Sequence, residues 1–161
     1  MFDKFGYMET AAQINELASN LRTEGDTKSI KALAKENGID EDIATAYIEG
    51  LIPFLCDDLS AALGKLDIEA KEVKAEELIS DWCEYIRQRC LEDPAMLYAV
   101  RKQDKTFNGC VASILKWSFG HQRPVDKEII KAAGVNAGKV TFGIPGMATV
   151  KTLITEYYLG K

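Results

Sequence analysis

The chain has 161 residues, of which 47% are hydrophobic and 28% are charged. This composition is typical of a globular protein, and the length suits one compact domain or two small ones. No run of about 18 apolar residues occurs, so no membrane span is expected. The acidic start, MFDKFGYMET, is unlike a secretion signal. We therefore expect a cytoplasmic protein without a membrane partner.

The formal net charge of −5 is unevenly distributed along the chain. Residues 1–93 hold 21 acidic and 10 basic side chains, a net of −11, whereas residues 94–161 hold 4 and 10, a net of +6. The two parts either form separate charged faces or pack together and neutralise each other, and the sequence leaves both arrangements open.

The residues that usually carry catalysis or bind metal are few. The four cysteines include no CxxC pair, and we expect them to be reduced, buried thiols. His121 is the single histidine and has no nucleophile signature beside it. Neither GxxxxGK[ST] nor GxGxxG occurs in the sequence. We therefore expect no catalytic site, no metal site, no cofactor and no enzymatic activity.

Capping residues and helical periodicity predict a mainly α fold, a bundle of seven or eight helices. Thr10 and Gln13 form a capping-box pattern at the first helix, and Asp26 or Thr27 caps the second. Asp40 caps the third helix. We expect the inner face of that helix to carry Ile43, Tyr47 and Ile48.

The sequence also predicts two subdomains. Pro53 is expected to lie in the first turn of a fourth helix. The polar stretch DIEAKEVKAEE that follows is either a solvated helix or a joint near residues 68–75. An acidic helical subdomain would then cover residues 1–70, with a helical hairpin at 26–50. A basic helical subdomain would cover residues 75–161.

In the second half, a long helix is predicted from residue 75 to residue 92. A later helix has Phe107 and Trp117 at core spacing with Val111 and Leu115. Residues 120–124 are expected to form a loop. The β-branched and aromatic residues between glycines predict one short strand or extended segment near residues 139–144.

The stretch SIKALAKENGIDEDIATAYIEG, Ser29 to Gly50, has the pattern of a helix-turn-helix. Its second helix carries four acidic residues and no Lys or Arg. Carboxylates are repelled by DNA phosphates, so this hairpin is either scaffold or a surface for a basic partner rather than a duplex reader. The candidate acidic partner-binding residues are Asp40, Glu41, Asp42, Glu49, Asp57 and Asp58.

A second candidate surface is basic. Lysines and arginines recur between residues 87 and 131, close to aromatic residues, a combination that can bind nucleic acid. The candidate nucleic-acid or partner-binding residues are Arg101, Lys102, Lys105, Arg123, Lys127 and Lys131.

Four segments, MFDKFG, AKENGIDEDIATAYIEG, ALGKL and FGIPGMATVKTLITEYYLG, together resemble small proteins of phages and mobile elements, among them anti-CRISPR proteins that inhibit Cas9. The segment DPAMLYAVRKQDKTFNGCVASIL is loosely similar to PcfK-like proteins of conjugative elements. Neither likeness assigns a role to an individual residue of this chain.

The resemblance implies a stoichiometric inhibitor in the cytoplasm of a bacterial host. Its partner would be Cas9 or the Cas9–guide RNA complex, and it would block target DNA binding or cleavage. The alternative is a nucleic-acid-binding accessory or regulatory protein of a phage or conjugative element, acting through residues 87–131. The sequence leaves the oligomeric state open.

Overall fold

The computed structural model describes residues 4–160 and confirms a mainly α-helical fold. This part of the chain forms nine helices, against the seven or eight expected, and one small antiparallel sheet. The helices are α1 (Ala11–Thr23), α2 (Thr27–Glu36), α3 (Glu41–Ile48), α4 (Asp58–Glu72), α5 (Glu77–Glu92), α6 (Pro94–Arg101), α7 (Phe107–Gly120), α8 (Lys127–Ala132) and α9 (Met147–Leu159). The strands are β1 (Arg123–Pro124) and β2 (Thr141–Phe142).

The described chain divides into two compact units, the first ending at Asn108 and the second beginning at Gly109. This boundary differs from the joint expected near residues 68–75. Helix α4 continues unbroken to Glu72, and α4, α5 and α6 pack against one another. Lys65 and Glu69 of α4 are buried, so the end of this helix, which includes part of the polar stretch, belongs to the interior of the first unit.

In the first unit, α1 packs on α2, and α2 packs on α3 to form the helical hairpin. The Thr10–Gln13 capping box is present, and Asp26 rather than Thr27 caps α2. The turn after α2 has Gly38 at a positive φ of 68°, where it lies directly against Gly64 of α4. A Cβ on Gly38 would overlap the Gly64 carbonyl, so glycine is required for this close approach.

Three sequence expectations in helical packing are wrong. Pro53 does not begin a helix, because residues 49–57 form a loop and α4 starts after its cap, Asp57. On α3, Tyr47 is buried as expected, but Ile43 is 39% exposed and Ala44 is fully buried in its place. On α7, Phe107 is buried as expected, but Leu115 is exposed and Ile114 is buried instead.

The second unit contains the small sheet. The short strand expected near residues 139–144 is confirmed as β2, and its antiparallel partner β1 lies within the segment expected to be a loop, residues 120–124. Helix α8, which follows β1, has no buried residue. From Cys110 onward, the buried residues of α7 and those of α9 recur at intervals of four, which is the spacing of one helix face. They are Cys110, Ile114, Ser118, Val150, Ile154 and Tyr158.

Candidate partner-binding surfaces

The four candidate acidic residues of the hairpin lie at opposite ends of α3. Asp40 is its N-cap and accepts a hydrogen bond from the Asp42 backbone N–H at 2.8 Å. Glu41 pairs with Lys31 of α2 at 3.0 Å, so part of its charge is neutralised. Glu49 is the C-cap. An eight-residue helix is about 12 Å long, so Glu49 is well separated from the other three.

The other two candidates, Asp57 and Asp58, border a surface pocket of about 650 Å³ at the loop between α3 and α4. Glu16 of α1 adds a third carboxylate. Phe54 of the loop supplies an aromatic ring, and this residue is 65% exposed. We call these four residues, Glu16, Phe54, Asp57 and Asp58, the acidic pocket. It combines one large apolar side chain with three carboxylates.

Asn15 of α1 holds the loop in place. Its side-chain oxygen accepts hydrogen bonds from the backbone N–H groups of Leu55 and Cys56, at 2.9 and 3.1 Å. Its side-chain amide donates to the Cys56 carbonyl at 2.8 Å. Leu55 and Cys56 are buried, whereas Phe54, the residue before them, is exposed. The aromatic ring is therefore presented outward by an anchored backbone.

The charge of the acidic pocket is also fixed by local bonding. Asp57 caps α4, and its carboxylate accepts hydrogen bonds from the Ser60 hydroxyl and from the Ser60 backbone N–H, the latter at 2.7 Å. These bonds hold the pKa of Asp57 below its usual value of 3.8. Asp58 accepts a hydrogen bond from the Tyr98 hydroxyl at 3.4 Å. Asp57 is therefore ionised at neutral pH.

The candidate basic residues do not form the surface that the sequence suggested. Arg101 is 2% exposed, and its guanidinium donates to the carbonyls of Met8 and Ala61, so it is a structural residue and unavailable for a nucleic-acid contact. Lys102 is exposed and Lys105 is half-buried. The recurrence of lysines and arginines along the sequence placed Arg101 in a basic cluster but could not show that its side chain is buried.

Lys65 and Glu69 form a buried polar network, and their charges interact with that of the buried Arg101. The Lys65 ammonium donates to the carbonyls of Val100 and Lys105, at 2.7 and 2.6 Å, and pairs with Glu69 at 3.2 Å. The second Glu69 oxygen accepts a bond from the Phe107 backbone N–H at 2.9 Å. Burial lowers the pKa of Lys65 and raises that of Glu69. The network joins α4 to the end of α6 and the start of α7.

The remaining candidates, Arg123, Lys127 and Lys131, are exposed in the second unit. None of the ion pairs among residues 4–160 involves them. The two arginines near residue 87 differ in this respect, because Arg87 pairs with Asp67 and Arg89 pairs with Asp93. Cations free to meet an external anion are therefore found on the second unit.

The histidine and the cysteines considered in the sequence are stacked on a neighbouring ring or buried. His121 stacks on Trp117, with ring centroids 3.9 Å apart, and its Nδ1 bonds the Trp117 carbonyl at 2.8 Å. The four cysteines are free and buried, and burial raises the pKa of the Cys56 and Cys83 thiols to about 11. Within residues 4–160, no three His, Cys, Asp or Glu side chains are grouped to hold a metal ion.

Three residues that form or support the acidic pocket, Glu16, Phe54 and Asn15, were missed by sequence reasoning. Phe54 carries a weak local signal, because it lies between a proline and two aspartates. Asn15 carries none, since its bonds reach about 40 residues along the chain.

None of the helices in the described part of the chain has the length and apolar character that crossing a membrane requires. Comparison of the chain with protein-family models, with curated proteins and with solved structures finds no match.

Proposed function

We propose that this protein is a non-catalytic anti-CRISPR protein that binds Cas9 and inhibits target DNA binding or cleavage. The observation that supports it is the acidic pocket, which Asp57 and Asp58 line together with the exposed Phe54. Cas9 holds its guide–target heteroduplex in a positively charged channel and reads a short DNA motif with arginines. A rigid acidic surface is complementary to such sites and competes there with DNA phosphates.

The two kinds of side chain in the pocket have different roles in this proposal. Phe54 is the anchor, because aromatic residues buried at an interface supply much of its binding energy. The carboxylates steer association with a basic surface and orient the complex. The bonds that Asn15 makes to the loop keep Phe54 in place before binding, which reduces the entropy cost of association.

The test is target cleavage by a purified Cas9–guide RNA complex with increasing amounts of this protein. We expect inhibition that saturates near equimolar protein, as for a stoichiometric inhibitor. Replacing Phe54 by Ala should weaken binding by roughly 30-fold, as expected for an anchor worth about 2 kcal/mol. Full cleavage at a large excess of the wild-type protein would overturn the proposal.

Charge variants distinguish binding through the acidic pocket from an effect of the protein's overall negative charge. The double variant Asp57→Asn, Asp58→Asn keeps a capping side chain at residue 57 and removes two charges. It should slow association, most strongly at low salt. The control variant Glu72→Gln, Asp81→Asn removes two exposed charges outside the pocket. Equal effects of the two variants would exclude the pocket as the binding site.

A second candidate function is a nucleic-acid-binding accessory or regulatory role in a mobile element. The exposed, unpaired cations Arg123, Lys127 and Lys131 favour it. The corresponding test is a gel shift with single- and double-stranded DNA at two salt concentrations. Binding through these cations should weaken as salt is raised.

A further inference from the structure

We infer that the second unit carries a binding surface for single-stranded nucleic acid, built on Arg123 and Phe142 and extended by Lys127 and Lys131. The inference rests on the second candidate function and specifies its ligand. It places the nucleic-acid-binding site on the small sheet and α8 and excludes Arg101, which is buried.

The centre of this surface is a cross-strand pair. Arg123 of β1 lies directly opposite Phe142 of β2 in the antiparallel register, so the two side chains share one face of the sheet. Both are exposed, and Phe142 retains 68% of its accessible surface. A base can stack on the ring while the guanidinium meets a neighbouring phosphate, which is the pairing found in single-strand binding proteins.

The sheet that carries this pair is held by specific bonds. The Val125 backbone N–H donates to the Val140 carbonyl at 2.9 Å, and the Thr141 hydroxyl donates to the Gln122 side chain at 2.7 Å. Gly143 follows β2 where the chain passes so close to Ser118 and Gln122 that a Cβ would overlap them. The aromatic ring is therefore displayed on an ordered backbone.

Helix α8 extends the positive charge beyond the sheet. Lys127 and Lys131 are four residues apart, so they lie on one face of the helix, and both are exposed. The two acidic residues between Arg123 and Lys131 are Asp126, which is the α8 N-cap, and Glu128, so the three basic side chains of this segment outnumber its two acidic ones. In the proposed complex, the two lysines contact phosphates beyond the stacked base.

A single strand fits this surface better than a duplex. Bases of a duplex are already stacked on each other, so an exposed ring gains a stacking partner only from an unpaired base. Duplex reading usually inserts a helix or a β-ribbon into a groove. The helix here has six residues, and each strand has two.

The experiment measures binding of the full chain to dye-labelled oligothymidine and to a labelled duplex by fluorescence anisotropy at several salt concentrations. We expect tighter binding of the single strand. Phe142→Leu, which removes the ring but keeps an apolar side chain, should weaken it by about 5- to 100-fold, the range expected for one stacked base. Lys127→Gln with Lys131→Gln should lower the salt slope by about 1.4.

The matched control is Ile129→Gln, which changes an exposed apolar residue of α8 that lies outside the cation pair. It should leave single-strand binding unchanged. Absence of binding to either nucleic acid would overturn both the second candidate function and this inference. Equal binding to both, unaltered by Phe142→Leu, would leave the candidate function standing and overturn the inference. Loss of binding with Ile129→Gln but not with Phe142→Leu would place the contact outside the Arg123–Phe142 pair and overturn the inference.

Discussion

Residues 4–108 include two buried basic side chains, whereas the basic side chains of α8 in residues 109–160 are all exposed. In the first unit, Lys65 and Arg101 are buried against backbone carbonyls. In the second unit, Lys127 and Lys131 are exposed on a helix without a buried residue. The net charge also differs between the two parts of the sequence. Residues 1–108 hold 22 acidic and 13 basic side chains, whereas residues 109–161 hold 3 acidic and 7 basic ones. Lysine and arginine therefore include interior structural residues in the first unit, whereas the lysines of α8 remain accessible to a ligand.

The largest effect is expected at the buried ion pair. Lys65→Met should lower the free energy of unfolding by about 3–5 kcal/mol, because it leaves Glu69 as an uncompensated buried charge and removes the donor from the Val100 and Lys105 carbonyls. Urea denaturation measures this loss. Lys71→Met is the control, since it makes the same change on an exposed residue of the same helix. A similar loss in both variants would show that the buried network does not set the stability of this unit.

A somewhat smaller effect is expected where the hairpin meets α4. Gly38→Ala places a Cβ against the Gly64 carbonyl at a positive φ, and should cost about 2–4 kcal/mol through backbone strain and overpacking combined. Gly25 has a similar φ of 74° but open space around it, so Gly25→Ala should cost only about 1–2 kcal/mol. The difference between their urea midpoints isolates the close packing, and equal midpoints would contradict it.

The helix caps and the Gly38–Gly64 contact show how far the sequence could predict the fold. The helices followed from local signals such as the Thr10–Gln13 box and the Asp40 cap, which act within one turn. The Gly38–Gly64 contact joins segments that are distant in sequence, and nothing in the local pattern around Gly38 specifies its partner.

The candidate binding residues were also predictable only where local sequence sufficed to identify them. Asp57 and Asp58 were identified from their charge alone, and they border a pocket. Arg101 was misassigned, because its environment is set by Met8 and Ala61, which are far away along the chain. The Arg123–Phe142 pair could be found only from the register of β1 and β2. Each strand has two residues, which is too short to show an alternating pattern in the sequence.

A smaller, pH-dependent effect is expected at Asp57. Its pKa is lower in the folded protein than its usual value of 3.8, so its stabilisation is present above pH 3.8 and is lost as the pH falls through the folded-state pKa. Asp57→Asn should cost less than about 1 kcal/mol at neutral pH, because Asn also caps helices and the group is largely solvated. The urea stabilities of variant and wild type should converge below pH 3.8. A gap that persists there would assign the effect to the cap geometry rather than to the charge.

The smallest effect on stability is expected on α8, and it tests whether this helix of the second unit is exposed. Ile129 is 60% exposed on a helix with no buried residue, so Ile129→Gln should change the free energy of unfolding by no more than about 0.5 kcal/mol. Ile30 of α2 is fully buried, and Ile30→Ala, which removes apolar contacts from the core, should cost about 2–5 kcal/mol in the same urea titration. A loss at Ile129 as large as that at Ile30 would mean that α8 is packed in solution.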